Sequence, residues 1–231
     1  MKTIGLLGGM SWESTASYYR AINEGIKSAL GDLHSAKIAL YSVDFDHIEK
    51  LQHKGDWDEI AIILAKAALN VQSAGADFLI VCSNTVHKVF PQIELVLDIP
   101  ILHIADATAE TLSINNITKV GLLGTAFTME QEFYKGRLSS KYGLHVIVPN
   151  DNERAIIHKV IYQELVLGHI SKKSKSEYLR IVDSLALQGA EAIILGCTEI
   201  GLLISQRDTK VKLLDTTSIH ASKAVEYALS G

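Results

Sequence analysis

Eight short apolar runs recur along the chain, at Ile4–Leu7, Ile38–Ser42, Phe78–Val81, Ile101–Ile104, Val120–Leu123, Val146–Val148, Ala192–Leu195 and Val211–Leu214. They are too short for helices and rich in Ile, Val and Leu, the composition of strands buried on both faces. Amphipathic stretches lie between them. In "DWDEIAIILAKAALNVQSA", Trp57, Ile60, Leu64, Ala68 and Val71 recur at three- and four-residue steps, which line one face of a helix. Strands alternating with helices predict an α/β fold of mainly parallel sheets covered by helices. Right-handed crossovers then gather the strand C-terminal ends on one edge, where α/β proteins hold ligands.

The pattern also repeats. "TIGLLGGM" at 3–10 resembles "KVGLLGTAFTM" at 119–129, and "GADFLIVCSNT" at 75–85 resembles "GAEAIILGCTE" at 189–199. Matched without gaps, the second pair carries Gly75 to Gly189, an offset of 114. The same step carries Asp77 to Glu191, Ile80 to Ile194 and Ser83 to Cys197, while Cys82 falls on Gly196. The first pair carries Gly5 to Gly121, an offset of 116. Self-similarity in the same order predicts two related, pseudo-symmetric three-layer α/β domains. Pro100 is the local cue to a boundary, placing the first domain at 1–100 and the second at 101–205. The closing segment, 206–231, completes the first domain or returns to the second.

Composition narrows the class. The 231 residues are 48% hydrophobic and 21% charged, enough to bury a core and ordinary for a soluble globular protein. A net charge of −4 argues against binding nucleic acid. The one basic cluster, Lys172, Lys173 and Lys175, has no interleaved aromatic to stack a base and reads as a solvated surface turn. Gly8, Gly9 and Glu13 interrupt the N-terminal apolar stretch too early for a signal peptide. No apolar run approaches the roughly 20 residues that span a bilayer. A cytoplasmic protein with no membrane association is therefore expected. Cys82 and Cys197 read as free thiols, their spacing excludes a CxxC site, and the nine histidines show no metal-ligand spacing. "GLLGG" is neither GxGxxG nor a P-loop, which argues against a nucleotide site.

Chemistry concentrates after two strands, at "CSNT" (82–85) and "GCTE" (196–199). A turn there exposes the N–H groups of the next helix, a natural site for a carboxylate. Asn84, Thr85, Thr198 and Glu199 suit the caps of such helices. A helix N-terminus also lowers a cysteine pKa from about 8.5, and a thiolate is a nucleophile or a base. The alternative for Cys197 is a small buried hydrophobe.

Taken together and in this order, "GLLGGMSWEST", "CSNTVHK", "LHIADAT" and "GCTEIGLL" resemble the aspartate/glutamate racemase family, over essentially the whole chain. The likeness is strongest to its bacterial branch of L-aspartate/glutamate-specific racemases. The resemblance implies a substrate cleft between the two domains, a small amino-acid substrate, no pyridoxal or other cofactor, no metal, and suggests a homodimer. It implies a reaction in which the α-proton leaves one face of the carbon and a proton returns on the other. Two acid/base groups must flank that carbon. Many relatives read Cys-Asn-Thr at the first of them, whereas this chain reads Ser83-Asn84-Thr85, with its cysteine one residue earlier. The internal match pairs Ser83 with Cys197, and adjacent strand residues point to opposite faces. Ser83 is therefore assigned to catalysis with Cys197, and Cys82 to packing. An alcohol is a far weaker acid and base than a thiol, so asymmetric catalysis is expected. By the same likeness, Met10 and Ser11 present backbone groups and Gln52 meets the substrate side chain. Asn84, Thr85, Thr198 and Glu199 contact its amino and carboxylate groups. Without the resemblance, Gln52 reads as a solvated helix position, and His87, one helical turn beyond Ser83, reads either as approaching the cleft or as a structural helix-surface histidine. Two other functions fit the same residues. One is a thiol-dependent racemase or decarboxylase of another small acid, and the other is an amino-acid-binding protein without turnover.

Overall fold

All eight apolar runs become strands in the computed structural model, which describes residues 1–230. Contacts divide the chain into two units, Met1–Ile104 joined by the residues from His220 onward, and Ala105–Ile219. The first unit holds β1 (Ile4–Gly8), β2 (Ile38–Ser42), β3 (Phe78–Val81) and β4 (Ile101–Leu102). The second holds β5 (Lys119–Gly124), β6 (His145–Ile147), β7 (Ala192–Gly196) and β8 (Lys212–Asp215). β4 stops short of Ile104 because that residue already opens a helix. Between the strands lie α1 (Trp12–Leu30), α2 (Phe45–Lys54), α3 (Trp57–Ser73), α4 (Phe90–Glu94) and α5 (Ile104–Ile114). The later helices are α6 (Ala126–Glu130), α7 (Lys135–Tyr142), α8 (Asp151–Gln163), α9 (Lys172–Leu187), α10 (Ile200–Leu203) and α11 (Thr216–Leu229). Lys172, Lys173 and Lys175 thus begin a helix capped by Ser171 rather than forming a turn. Among the described residues no helix is long and apolar enough to cross a membrane.

Both sheets are parallel and four-stranded, and both have the same order, β2-β1-β3-β4 and β6-β5-β7-β8. The segment 206–231 is divided, since β8 pairs with β7 and the residues from His220 onward group with the first unit. Leu7 lies opposite Val81, and Leu123 opposite Leu195. The two sequence offsets therefore meet in one register. The strand entrances repeat as well. Asp77 Oδ2 accepts from the Thr3 amide at 2.6 Å, and Glu191 Oε1 accepts from the Lys119 amide at 2.7 Å. In return, the Asp77 amide donates to Thr3 O and the Glu191 amide to Lys119 O, each at 2.9 Å. Each carboxylate thus satisfies an amide at the start of a central strand.

The period-2 alternation of β3 sorts its side chains between two cores. Leu79 and Val81 pack with Leu7 and with Ile60, Leu64, Ala68 and Val71 of α3. Phe78, Ile80 and Cys82 face the other way, against Ile4, Leu6, Tyr18, Ile22 and Ala224. In the second unit Ile193, Leu195 and Cys197 share a face with Ile157 and Ile161 of α8 and with Tyr178, Ile181 and Leu185 of α9. Helices lie close on both central strands. A Cβ at Gly5 would stand 2.7 Å from Val71 Cγ1 of α3, and one at Gly121 would stand 3.0 Å from Leu185 Cδ1 of α9. Those contacts explain why the two repeat copies keep a glycine there.

Candidate active site

The turn after β1 is built around Gly9. Its φ is +94°, and a Cβ would come within 2.2 Å of Val43 O. Only glycine takes that conformation and that close approach without strain. Its amide donates to Thr15 Oγ1 at 2.8 Å, and Thr15 Oγ1 donates to Ser11 O at 3.0 Å. Ser11 caps α1 by accepting from the Ser14 amide. Met10 and Ser11 are buried within this braced turn. Ser14 Oγ then donates to Cys82 O at 2.9 Å, fastening the start of α1 to the end of β3.

The turn after β3 carries Ser83, Asn84 and Thr85, all buried. The Ser83 amide donates back to Val81 O at 2.9 Å, and a single 3-10 helix, Thr85–Val89, follows. Asn84 precedes it without a side-chain cap bond, so the capping expected from sequence is not made. Cys82 has no exposure and sits among Ile4, Leu6, Phe78 and Ile80. Burial alone drives its thiol pKa far up, so the group stays neutral and packs. Gln52, which sequence alone reads as a solvated position, is 2% exposed on the inner face of α2.

The equivalent turn in the second unit carries Cys197, Thr198 and Glu199. Here the cysteine occupies the position of Ser83, one residue beyond the Gly124–Gly196 pair that ends the β5–β7 register. Cys197 Sγ donates to Glu199 Oε2 at 2.9 Å, and Thr198 Oγ1 donates to the same oxygen at 2.7 Å. Glu199 is 3% exposed and makes no side-chain cap bond to α10, which is a single turn of four residues. The expected lowering of the thiol pKa does not occur. Burial raises it well above the ordinary value, and the Glu199 charge and hydrogen bond add to the rise. A one-turn helix has too few aligned peptides to oppose those effects. The sulfur therefore keeps its proton and donates it in the hydrogen bond to the Glu199 carboxylate.

Each sequence-predicted residue of the first unit is buried, and the turns bearing Met10, Ser11 and Ser83 are tied together through Ser14 and Cys82. Cys197, Thr198 and Glu199 form one hydrogen-bonded cluster. Sequence reading passed over Thr15 and Ser14, whose hydroxyls hold the first turn. "SWEST" contains both, but nothing local marks them as bonding to residues 9 and 82. Among the described residues, no group of three His, Cys, Asp or Glu side chains is placed to hold a metal ion.

Residues 7–224 match the sequence pattern of the family described as Asp/Glu/hydantoin racemase. A candidate Asp/Glu racemase from Yersinia pestis is 54% identical over 100% of both chains, with a TM-score of 0.93. An aspartate racemase homologue from Pyrococcus horikoshii is 36% identical over 99% of each chain, with a TM-score of 0.85. The broad specificity amino-acid racemase RacX of Bacillus subtilis is 23% identical over 98% of both chains.

Proposed function

The chain belongs to the Asp/Glu/hydantoin racemase family, and from that premise we propose that it racemises aspartate or glutamate by moving the α-proton without a cofactor. The observation that carries this reading is positional. Ser83 and Cys197 hold equivalent places after equivalent strands, and the carboxylate of Glu199 is bonded to the thiol. In the proposed step the Cys197 proton passes to Glu199, and the resulting thiolate removes the α-proton of the substrate. The carbanion then takes a proton on its other face from the Ser83 hydroxyl, directly or through one water. Backbone donors at Met10 and Ser11 hold the substrate carboxylate and spread the developing charge. Asn84, Thr85 and Thr198 contact the amino and carboxylate groups, and Gln52 meets the side chain.

An alcohol transfers protons less readily than a thiol near neutral pH, so the two directions are unequal. One enantiomer is deprotonated efficiently at Cys197, and the other slowly at Ser83. The experiment is a panel of both enantiomers of aspartate and glutamate in heavy water, read by chiral chromatography and by loss of the α-proton signal. Unequal wash-in from the two enantiomers is expected, with exchange abolished by Cys197→Ala and the slow direction accelerated by Ser83→Cys. Equal wash-in removes the asymmetry, and binding without exchange favours an amino-acid-binding protein. The similarity to RacX favours adding other amino acids to the panel, and a related small acid as sole substrate would replace this reading with a neighbouring one.

A further inference from the structure

His87 is buried, 2% exposed, and not on the helix surface. Its Nδ1 lies 2.7 Å from Ser83 O, and its Nε2 accepts from the Ile104 amide at 3.4 Å. A carbonyl can only accept, so Nδ1 carries the proton and Nε2 is the acceptor. That assignment uses both ring nitrogens in one neutral tautomer. The ring plane is held on its sides by Phe90, stacked at 5.9 Å and 10°, and by His103 at 4.6 Å. An imidazole so confined keeps the turn at residue 83 fixed to the first residue of α5.

The matching position of the second unit carries no imidazole. The offset that carries Ser83 to Cys197 carries His87 to Gly201, which has no side chain. There the reactive atom itself is held, by Glu199. The same offset carries Glu199 back to Thr85, so Ser83 has no carboxylate two residues on. One turn is thus held through its reactive side chain and the other through its backbone carbonyl.

We propose that His87 is a positioning residue for Ser83, fixing the backbone of residue 83 so that its hydroxyl meets the reacting carbon. The inference rests on the racemase reading above. A hydroxyl transfers a proton only when it is well placed, and a displacement of about 1 Å can cost on the order of a hundredfold. Loosening this backbone therefore slows the Ser83 side of the reaction and leaves the Cys197 side intact.

The test is α-proton exchange from each enantiomer in heavy water, followed by proton NMR. The Ser83 side is defined as the exchange that Ser83→Ala removes. His87→Ala is expected to slow that exchange by at least about tenfold and to leave the other within about twofold. His87→Asn places an amide N–H near the position of Nδ1 and should restore most of the loss. His87→Phe fills the volume without a donor and should not. Equal slowing of both sides, no slowing, or rescue by Phe as good as by Asn would each overturn the positioning role. If His87→Ala does not fold by far-UV circular dichroism, the contrast between Asn and Phe decides alone. Wild-type exchange that survives Cys197→Ala would remove the two-base reading and this inference with it. Exchange lost in Cys197→Ala but indifferent to His87 removes the inference only.

Discussion

The Tyr18 hydroxyl donates to Nδ1 of His220 at 2.9 Å, joining residues 202 positions apart inside the first unit. The other ring nitrogen, Nε2, donates to Leu102 O at 2.9 Å. His220 has no exposure, and this pair of bonds uses the neutral ring with its proton on Nε2. A protonated ring would present a second donor to Tyr18 and place a charge in an apolar site.

Burial accordingly lowers the His220 pKa from 6.5 to about 4, against a smaller raising effect of the Leu102 carbonyl. Between those values the unfolded chain binds a proton that the folded chain does not, so stability rises with pH. The contribution is complete above 6.5 and is lost as pH falls toward 4. It amounts to about 3 kcal/mol, from the free energy of each tenfold change in proton affinity. Urea midpoints measured from pH 7 to pH 4 should fall steeply in the wild type. His220→Gln should be less stable at pH 7 and flatter over that range, whereas parallel curves would contradict a neutral buried imidazole.

Glu199 has two opposed effects on Cys197. Its charge and hydrogen bond help to raise the thiol pKa, after burial, and its oxygen is the acceptor for the thiol proton. Glu199→Gln should therefore shift the pH profile of Cys197 alkylation by iodoacetamide to lower pH. The same variant should racemise more slowly, by about a hundredfold or more, the usual cost of removing a proton acceptor. Faster alkylation together with slower turnover is a combination that mere loosening of the fold does not produce. Unchanged turnover would show that the carboxylate takes no proton.

Cys82 and Gly196 occupy matching positions with opposite steric needs. Cys82 fills space in an apolar cluster. A Cβ at Gly196 would stand 2.8 Å from Leu123 O and 2.9 Å from Leu122 Cδ1. Cys82→Ala should cost about 1 kcal/mol of stability with exchange rates unchanged. Cys82→Ser should cost about 2 kcal/mol, because it buries a hydroxyl among aliphatic side chains. Gly196→Ala should cost about 1–3 kcal/mol from overpacking against a backbone carbonyl. Denaturant midpoints measure all three, and a loss of α-proton exchange in Cys82→Ala would return the catalytic role to that thiol.

Much of the architecture was legible without coordinates. The apolar runs at 38–42 and 78–81 match their strands residue for residue, and the others agree within a few positions. The central strands, buried on both faces, announce themselves locally because every residue in the run must be apolar, whereas β2, at the sheet edge, is largely exposed. The repeat was equally visible, because Gly5 and Gly121 are demanded by the same close helix packing in each copy. Misreadings fell where a helix is short or a partner is distant. Ile104 looks like strand from its neighbours, and Asn84 looks like a cap, yet the residues that follow Asn84 make a 3-10 turn that it does not cap.

By itself, then, the order of residues determined two parallel α/β halves and the pairing of Ser83 with Cys197, because periodicity and repetition are local properties of a chain. Tertiary structure alone decided the protonation of Cys197, the burial of Gln52 and His87, and the bond between Tyr18 and His220. Each of those depends on how much water is removed and on which distant group takes its place. Desolvation and hydrogen-bond partners are set by packing, and no short stretch of sequence contains them.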